Sequence, residues 1–185
     1  VAGPVTAYPA VSATGHRDLT TAQLAWLRPE LDRVLAKLRG EHGTTAAAYG
    51  AALGADTEFG WAALHAGLEL HAHIPYPEQA DRWPTEDQAT YRRLLERCTS
   101  KTVYGPSFAV KWLFVRNDGL IDFAIERGGV LLAIWDPDVC SGGTYDTVRK
   151  AAVRGLPAIH LDPAAMVTHG PGCSCVTGLA APKLL

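Results

Sequence analysis

The amino-acid sequence predicts an α/β fold: one Rossmann-like domain with a mostly parallel central sheet and helices on both faces. Three observations carry this expectation. Strand-like and helix-like segments alternate along the chain, as they do in successive βαβ units. Val130 to Trp135 is an apolar run without alternation, as in a parallel strand covered on both faces. Leu24, Leu27, Leu31, Val34, Leu35 and Leu38 recur at the spacing of an amphipathic helix.

Val5 to Ala13 reads as the first strand, with Pro9 at its start or at a bulge, and it runs into Thr14-Gly15-His16-Arg17. Asp18 is placed as N-cap of the first helix, which Gly40 or Gly43 ends. Thr44 to Tyr49 is a short buried strand, followed by a tight small-residue turn from Gly50 to Asp56 and a helical pattern from Thr57 to Gly67. Leu68 to Ile74 is the third strand, closed by Pro75 and Pro77. A loop spans Tyr76 to Pro84, Thr85 caps a helix reaching Arg97, and Lys101 to Tyr104 is a brief strand. The next helix covers Ala109 to Arg127, either unbroken or interrupted near Arg116-Asn117, and Gly128-Gly129 stops it. After Val130 to Trp135 come a loop to Gly143, a helix from Thr144 to Arg154 and a last strand from Leu156 to Leu161. From Asp162 the chain is rich in Gly, Pro and Ala with weak periodicity, which divides it into a domain over 1–161 and a tail over 162–185.

The 185 residues suit a single core, and 48% hydrophobic residues is too many for a disordered chain. The 17 basic and 19 acidic side chains leave no basic excess for gripping a phosphate backbone, so no long nucleic acid is expected as partner. No apolar run approaches the roughly 20 residues that span a bilayer, and the N-terminus lacks a signal-peptide pattern, so a cytoplasmic location and no membrane partner are expected. A homo-oligomer is left open.

In open α/β sheets, ligands bind outside the carboxyl ends of the strands, where strand order reverses. The turns leaving strands 1, 2 and 5 therefore hold the candidates. Ser141, Gly142, Gly143 and Thr144 lie between the most buried strand and a helix. They are either a phosphate-cradling turn at a helix N-terminus or a plain strand–helix turn with Thr144 as N-cap. The pattern is neither a Walker loop nor a GxGxxG fingerprint. Gly54, Asp56 and Glu58 fall in or just after the second turn. Asp56 is either a helix cap or, like Glu58, a carboxylate facing the cleft, and Glu58 is preferred over Asp56 as a catalytic group. Gly15, His16 and Arg17 form the first turn, where Arg17 could hold a phosphate bidentately. Arg116 and Asn117 place a cation and an amide on an otherwise apolar helix, and Asp136 ends the central strand as a candidate sugar contact.

Other chemistry-bearing residues have plainer readings. His169, Cys173 and Cys175, with His160 nearby, are soft-ligand types. Yet C-x-C departs from the common C-x₂₋₄-C spacing and no second CxxC pair completes the set, so a packed or exposed tail and no metal are expected. Cys140 is either inert or a thiol activated by a helix terminus. Trp135 is either core or a face for stacking a base. Alternation puts His71 and His73 on one sheet face, as covered polar residues rather than ligands.

The motifs TGHR at 14–17, GAALGADTEFGWAAL at 50–64, RNDGLID at 116–122, VLLAIWD at 130–136 and SGGTYDTVRKA at 141–151 add up to a resemblance. The chain is similar to the SLOG superfamily of Rossmann-like domains, most of all to its YpsA-like branch and more distantly to lonely-guy and DprA-like proteins. The resemblance covers about residues 5–161. It implies binding of a nucleotide or nucleotide-derived small molecule without a cofactor, with the Gly-Gly-Thr turn on phosphate. Either hydrolysis or transfer at an N-glycosidic bond follows, or a non-catalytic sensor, or a vestigial pocket. Two departures stand out. The PGGxGTxxE motif of lonely-guy phosphoribohydrolases has Ser141 in place of its proline and no counterpart of its glutamate. The basic stretch and stacking platform expected of a DprA-like DNA binder are not evident.

Overall fold

The computed structural model describes residues 5–180. The ends of the two expected segments, residues 1–4 and 181–185, lie outside it. The elements run β1 (Ala10–Gly15), α1 (Thr21–His42), β2 (Ala46–Tyr49), α2 (Ala55–His65), β3 (Glu69–Ile74), α3 (Thr85–Glu96), β4 (Ser100–Val103), α4 (Val110–Glu126), β5 (Val130–Ile134), α5 (Gly142–Val153), β6 (Ala158–Asp162), β7 (Val167–His169) and α6 (Ser174–Thr177). One sheet has the order β4-β3-β2-β1-β5-β6-β7. Every pairing from β4 to β6 is parallel, and only β7 runs antiparallel, against β6. The expected Rossmann-like α/β architecture is what the chain adopts.

The pleat divides the central strands between two cores. Val130, Leu132 and Ile134 of β5 face a core shared with Leu27, Leu31, Leu35 and Leu38 of α1 and Phe59 of α2. Leu131, Ala133 and Trp135 face the other side, against Ile121 of α4 and Val148 of α5. Burial on both faces is why β5 carries no polar alternation. The β1–β5 neighbourhood is where the order reverses, so the cleft between their carboxyl ends is the topological switch point.

Two local expectations change, both helix caps, and one alternative left open is decided. Thr20, not Asp18, caps α1: its hydroxyl accepts the Gln23 N–H at 3.2 Å and Gln23 Oε1 accepts the Thr20 N–H at 2.9 Å, a reciprocal pair that Asp18 is too far upstream to make. Helix α4 runs unbroken through Arg116 and Asn117. Helix α5 starts at Gly142 with Ser141 as N-cap. Thr144, already inside the helix, instead donates its hydroxyl to the Gly15 carbonyl at 2.9 Å. Beyond Asp162 the chain also has structure that its weak periodicity does not signal: β7 pairs with β6, and Val176 of α6 is buried against the α5 side. No helix among the described residues is long and apolar enough to cross a membrane.

His71 and His73 do share a face, where both rings pack on Phe123 of α4. His73 Nδ1 lies 2.7 Å from the Tyr104 hydroxyl oxygen. Burial, then the nearby His71, Arg116 and Arg127, push its pKa down to about 4. A histidine whose folded pKa lies below its unfolded value of about 6.5 favours folding fully above that pH. The contribution is lost as pH falls from about 6.5 through 4. Urea unfolding is therefore expected to show a loss on the order of 3 kcal/mol between pH 7 and pH 4 from this group. His73→Gln should flatten that part of the profile; an unchanged profile would remove His73 as its source.

Candidate functional site

The carboxyl end of β1, the segments that follow β2 and β3, the first turn of α5 and the N-terminal half of α4 enclose a cleft of about 420 Å³. Its floor is built by the turn leaving β1. The His16 N–H donates to the Ile134 carbonyl at 3.1 Å, and the His16 carbonyl accepts the Ala55 N–H at 3.0 Å, so this turn is tied to both β5 and α2. The His16 ring accepts the Asp136 N–H on Nε2 at 2.9 Å. Burial lowers the pKa of His16, against the pull of Asp136 and Asp18, and a neutral ring is what that hydrogen bond requires. Gly54 has φ 74° and sits against the Arg17 backbone, where a Cβ would overlap the Arg17 carbonyl.

Arg17 projects from this turn, exposed, with its guanidinium 5.9 Å from the centre of the Trp83 ring. It forms no salt bridge among the described residues. Arg116 is different. It is half-buried in the cleft wall, donating to the Gly50 carbonyl and, through Nε, to Asn117 Oδ1 at 2.8 Å. Its guanidinium is 4.0 Å from the Asp56 carboxylate. Desolvation raises the pKa of Asp56, opposed by Arg116 and by the Ala52 N–H that donates to it. Asn117 then donates to the Gly143 carbonyl at 3.3 Å, which connects α4 to the first turn of α5. The N-cap Ser141 makes no side-chain hydrogen bond to that turn, and Ser141 to Thr144 line the cleft, so no side chain caps the helix end that borders it.

Gly15, His16, Arg17, Asp56, Arg116, Asn117, Ser141, Gly142, Gly143 and Thr144 all line the cleft. Glu58, Gly54 and Asp136 do not. Glu58 lies two residues past Asp56 on α2, roughly 200° around the helix axis, and forms a two-pronged ion pair with Arg28 at 2.8 and 2.9 Å. Asp136 is engaged by the Asp138 N–H at 2.9 Å. Trp135 is buried, with its indole N–H donating to the Val139 carbonyl at 2.9 Å, and offers no face to a base.

The aromatic wall was not anticipated from sequence. Tyr76 and Trp83, from the loop after β3, and Phe114 of α4 line the cleft. Phe108 meets Tyr76 edge-on at 5.3 Å, and it is 64% exposed where Phe114 is 40%. The signal was present: β3 ends at the same sheet edge as β1 and β5, and its exit loop carries two aromatics among polar residues. Scattered over residues 76–114, these side chains form no stretch in the sequence.

No protein-family model matches the chain, and no curated protein matches it. Solved structures do. DNA processing protein A from Helicobacter pylori, described for its single-stranded DNA binding mode, matches with 19% identity and a TM-score of 0.60 over 85% of this chain and 71% of its own. DNA processing protein A from Streptococcus pneumoniae matches with 18% identity and a TM-score of 0.47 over 82% of this chain and 58% of its own. The first likeness corrects two expectations, a nucleotide-derived small molecule as ligand and the exclusion of a long nucleic acid, since a protein with this fold binds a DNA strand. Net charge was a poor guide because it sums over the whole surface and does not report where a single exposed cation such as Arg17 stands. Glycosidic-bond cleavage by Glu58 or Asp56 goes with the first expectation, one carboxylate being turned away and the other buried. The chain shares its Rossmann-like fold with DNA processing protein A.

Proposed function

We propose that the cleft binds a short stretch of single-stranded nucleic acid, DNA in the first instance. A backbone phosphate sits at the α5 N-terminus beside Arg17, and bases stack on the aromatic wall. One observation carries this reading: a single open cleft combines an exposed arginine in no salt bridge and a helix N-terminus with no side-chain cap with Tyr76, Trp83 and the exposed Phe114, and the exposed Phe108 stands against Tyr76 at its edge. Stacking is sequence-tolerant because every base has a π-face, and it needs no basic excess over the whole surface. The likeness to a single-stranded DNA binder supports the same conclusion. Within the SLOG superfamily the ordered motifs favour the YpsA-like branch, and a cytoplasmic setting suits the partner.

Fluorescence anisotropy with a labelled oligothymidylate and a matched duplex tests the proposal. Single-strand binding is expected to exceed duplex binding. The slope of log affinity against log salt should be shallow, about −0.7 to −1.4 for one or two phosphates. No binding at low salt, or equal binding of duplex and single strand, would contradict it.

A further inference from the structure

The second feature lies where β6 and β7 meet α6, and it involves none of the residues assigned to the strand. His160 of β6 is fully buried, at 0% exposure. Its Nε2–H donates to the Trp135 carbonyl at 2.7 Å, which leaves Nδ1 as a bare lone pair. That lone pair points at Cys175 Sγ, 3.1 Å away. Cys175 is joined to Cys173 in a disulfide, so its sulfur has no S–H to donate. A buried imidazole nitrogen is thus aimed at a group that cannot satisfy it.

His169 completes the cluster. It is the register partner of His160 across the β6–β7 pair, and the two rings stack at 5.3 Å. One ligand atom each from His160, His169 and Cys175 lies within 4.8 Å of the others. Cys173, bonded to Cys175, brings a second sulfur to the same point.

We propose that, once the Cys173–Cys175 disulfide is reduced, His160, His169, Cys173 and Cys175 hold one zinc ion. Two thiolates and two imidazoles are a donor set for tetrahedral zinc. Zn–S of about 2.3 Å and Zn–N of about 2.0–2.1 Å put such ligand atoms roughly 3.3–3.8 Å apart, a small contraction of the present cluster. The Nε2–H bond to a backbone carbonyl is the outer-shell contact that orients a metal-binding histidine and presents Nδ1. The C-x-C spacing ceases to be an objection, because the second pair of ligands comes from a β-hairpin rather than from another cysteine pair.

A phosphine reductant and one water convert the disulfide to two thiols and a phosphine oxide, the oxygen going to phosphorus and the two hydrogens to the sulfurs. Zinc then displaces two protons to solvent while the imidazoles bind neutral. In reverse, hydrogen peroxide and two protons turn the zinc-bound thiolates into the disulfide, two waters and free zinc. The segment is therefore a metal clasp that oxidation opens.

Full-length protein, reduced with a phosphine and desalted without oxygen, is titrated with cobalt(II) and then zinc. One cobalt per chain is expected, with the visible absorption of a tetrahedral ion and a thiolate-to-cobalt charge-transfer band, both removed by equimolar zinc. Peroxide should release the zinc to a chromophoric chelator. Cys173→Ser with Cys175→Ser should abolish the charge-transfer band. His169→Ala, at a half-exposed position where the fold survives, should weaken binding at least tenfold. Reduced wild-type protein that binds no stoichiometric cobalt, an octahedral spectrum, or binding unchanged in the double serine variant would overturn the proposal.

Discussion

Replacing Arg17 by alanine is expected to weaken single-strand binding about tenfold or more. A hydrogen bond to a charged group contributes about 1.5–3 kcal/mol. The log–log salt slope should also become shallower by about 0.7, because the variant neutralises one phosphate fewer. Arg17 is the exposed cation of the cleft, held over Trp83 and free of any carboxylate partner among the described residues. Arg28→Ala is the control. Arg28 is spent on Glu58 outside the cleft, so its removal should leave both affinity and slope unchanged. Equal effects of the two substitutions would mean that overall charge, rather than this cleft, governs binding.

The substitution Gly54→Ala is expected to damage the fold and the site together. Gly54 has φ 74° and ψ −124°, a backbone region that suits glycine and strains other residues. That strain costs about 1–3 kcal/mol, and the added Cβ would also overlap the carbonyl of Arg17. The turn that presents Arg17 must then move. Thermal unfolding should shift down, and single-strand affinity should fall even where the variant is fully folded. Gly43→Ala makes a suitable comparison: Gly43 also has a positive φ of 72° but no atom within 4 Å of an added Cβ, so stability should fall without loss of affinity. A stable Gly54 variant with unchanged affinity would show that Arg17's position does not depend on this glycine.

Much of the architecture was legible because its causes are local. The unbroken run at Val130 reports a strand with both faces covered, and the leucine stripe of α1 reports one face packed on the sheet. Strand β7 was not legible. Its three residues are held by pairing with β6, a tertiary contact that no sequence period records. The turns carrying Arg17 and Gly143 could be found because ligand sites in such sheets gather at one edge. The choice between Asp56 and Glu58 could not be made from spacing. Both lie in the first turn of α2, and only the position of Arg28 decides which one turns away. The aromatic wall escaped notice for a related reason: three separate segments supply it, and only the fold brings them together.

Photo-crosslinking with an oligonucleotide that carries 5-iodouracil, followed by peptide mapping, locates the bound strand on the protein. Adducts are expected on Trp83, Tyr76, Phe108 or Phe114, diminished by Arg17→Ala. Adducts confined to other surfaces, or none under conditions where a known single-strand binder is labelled, would contradict it.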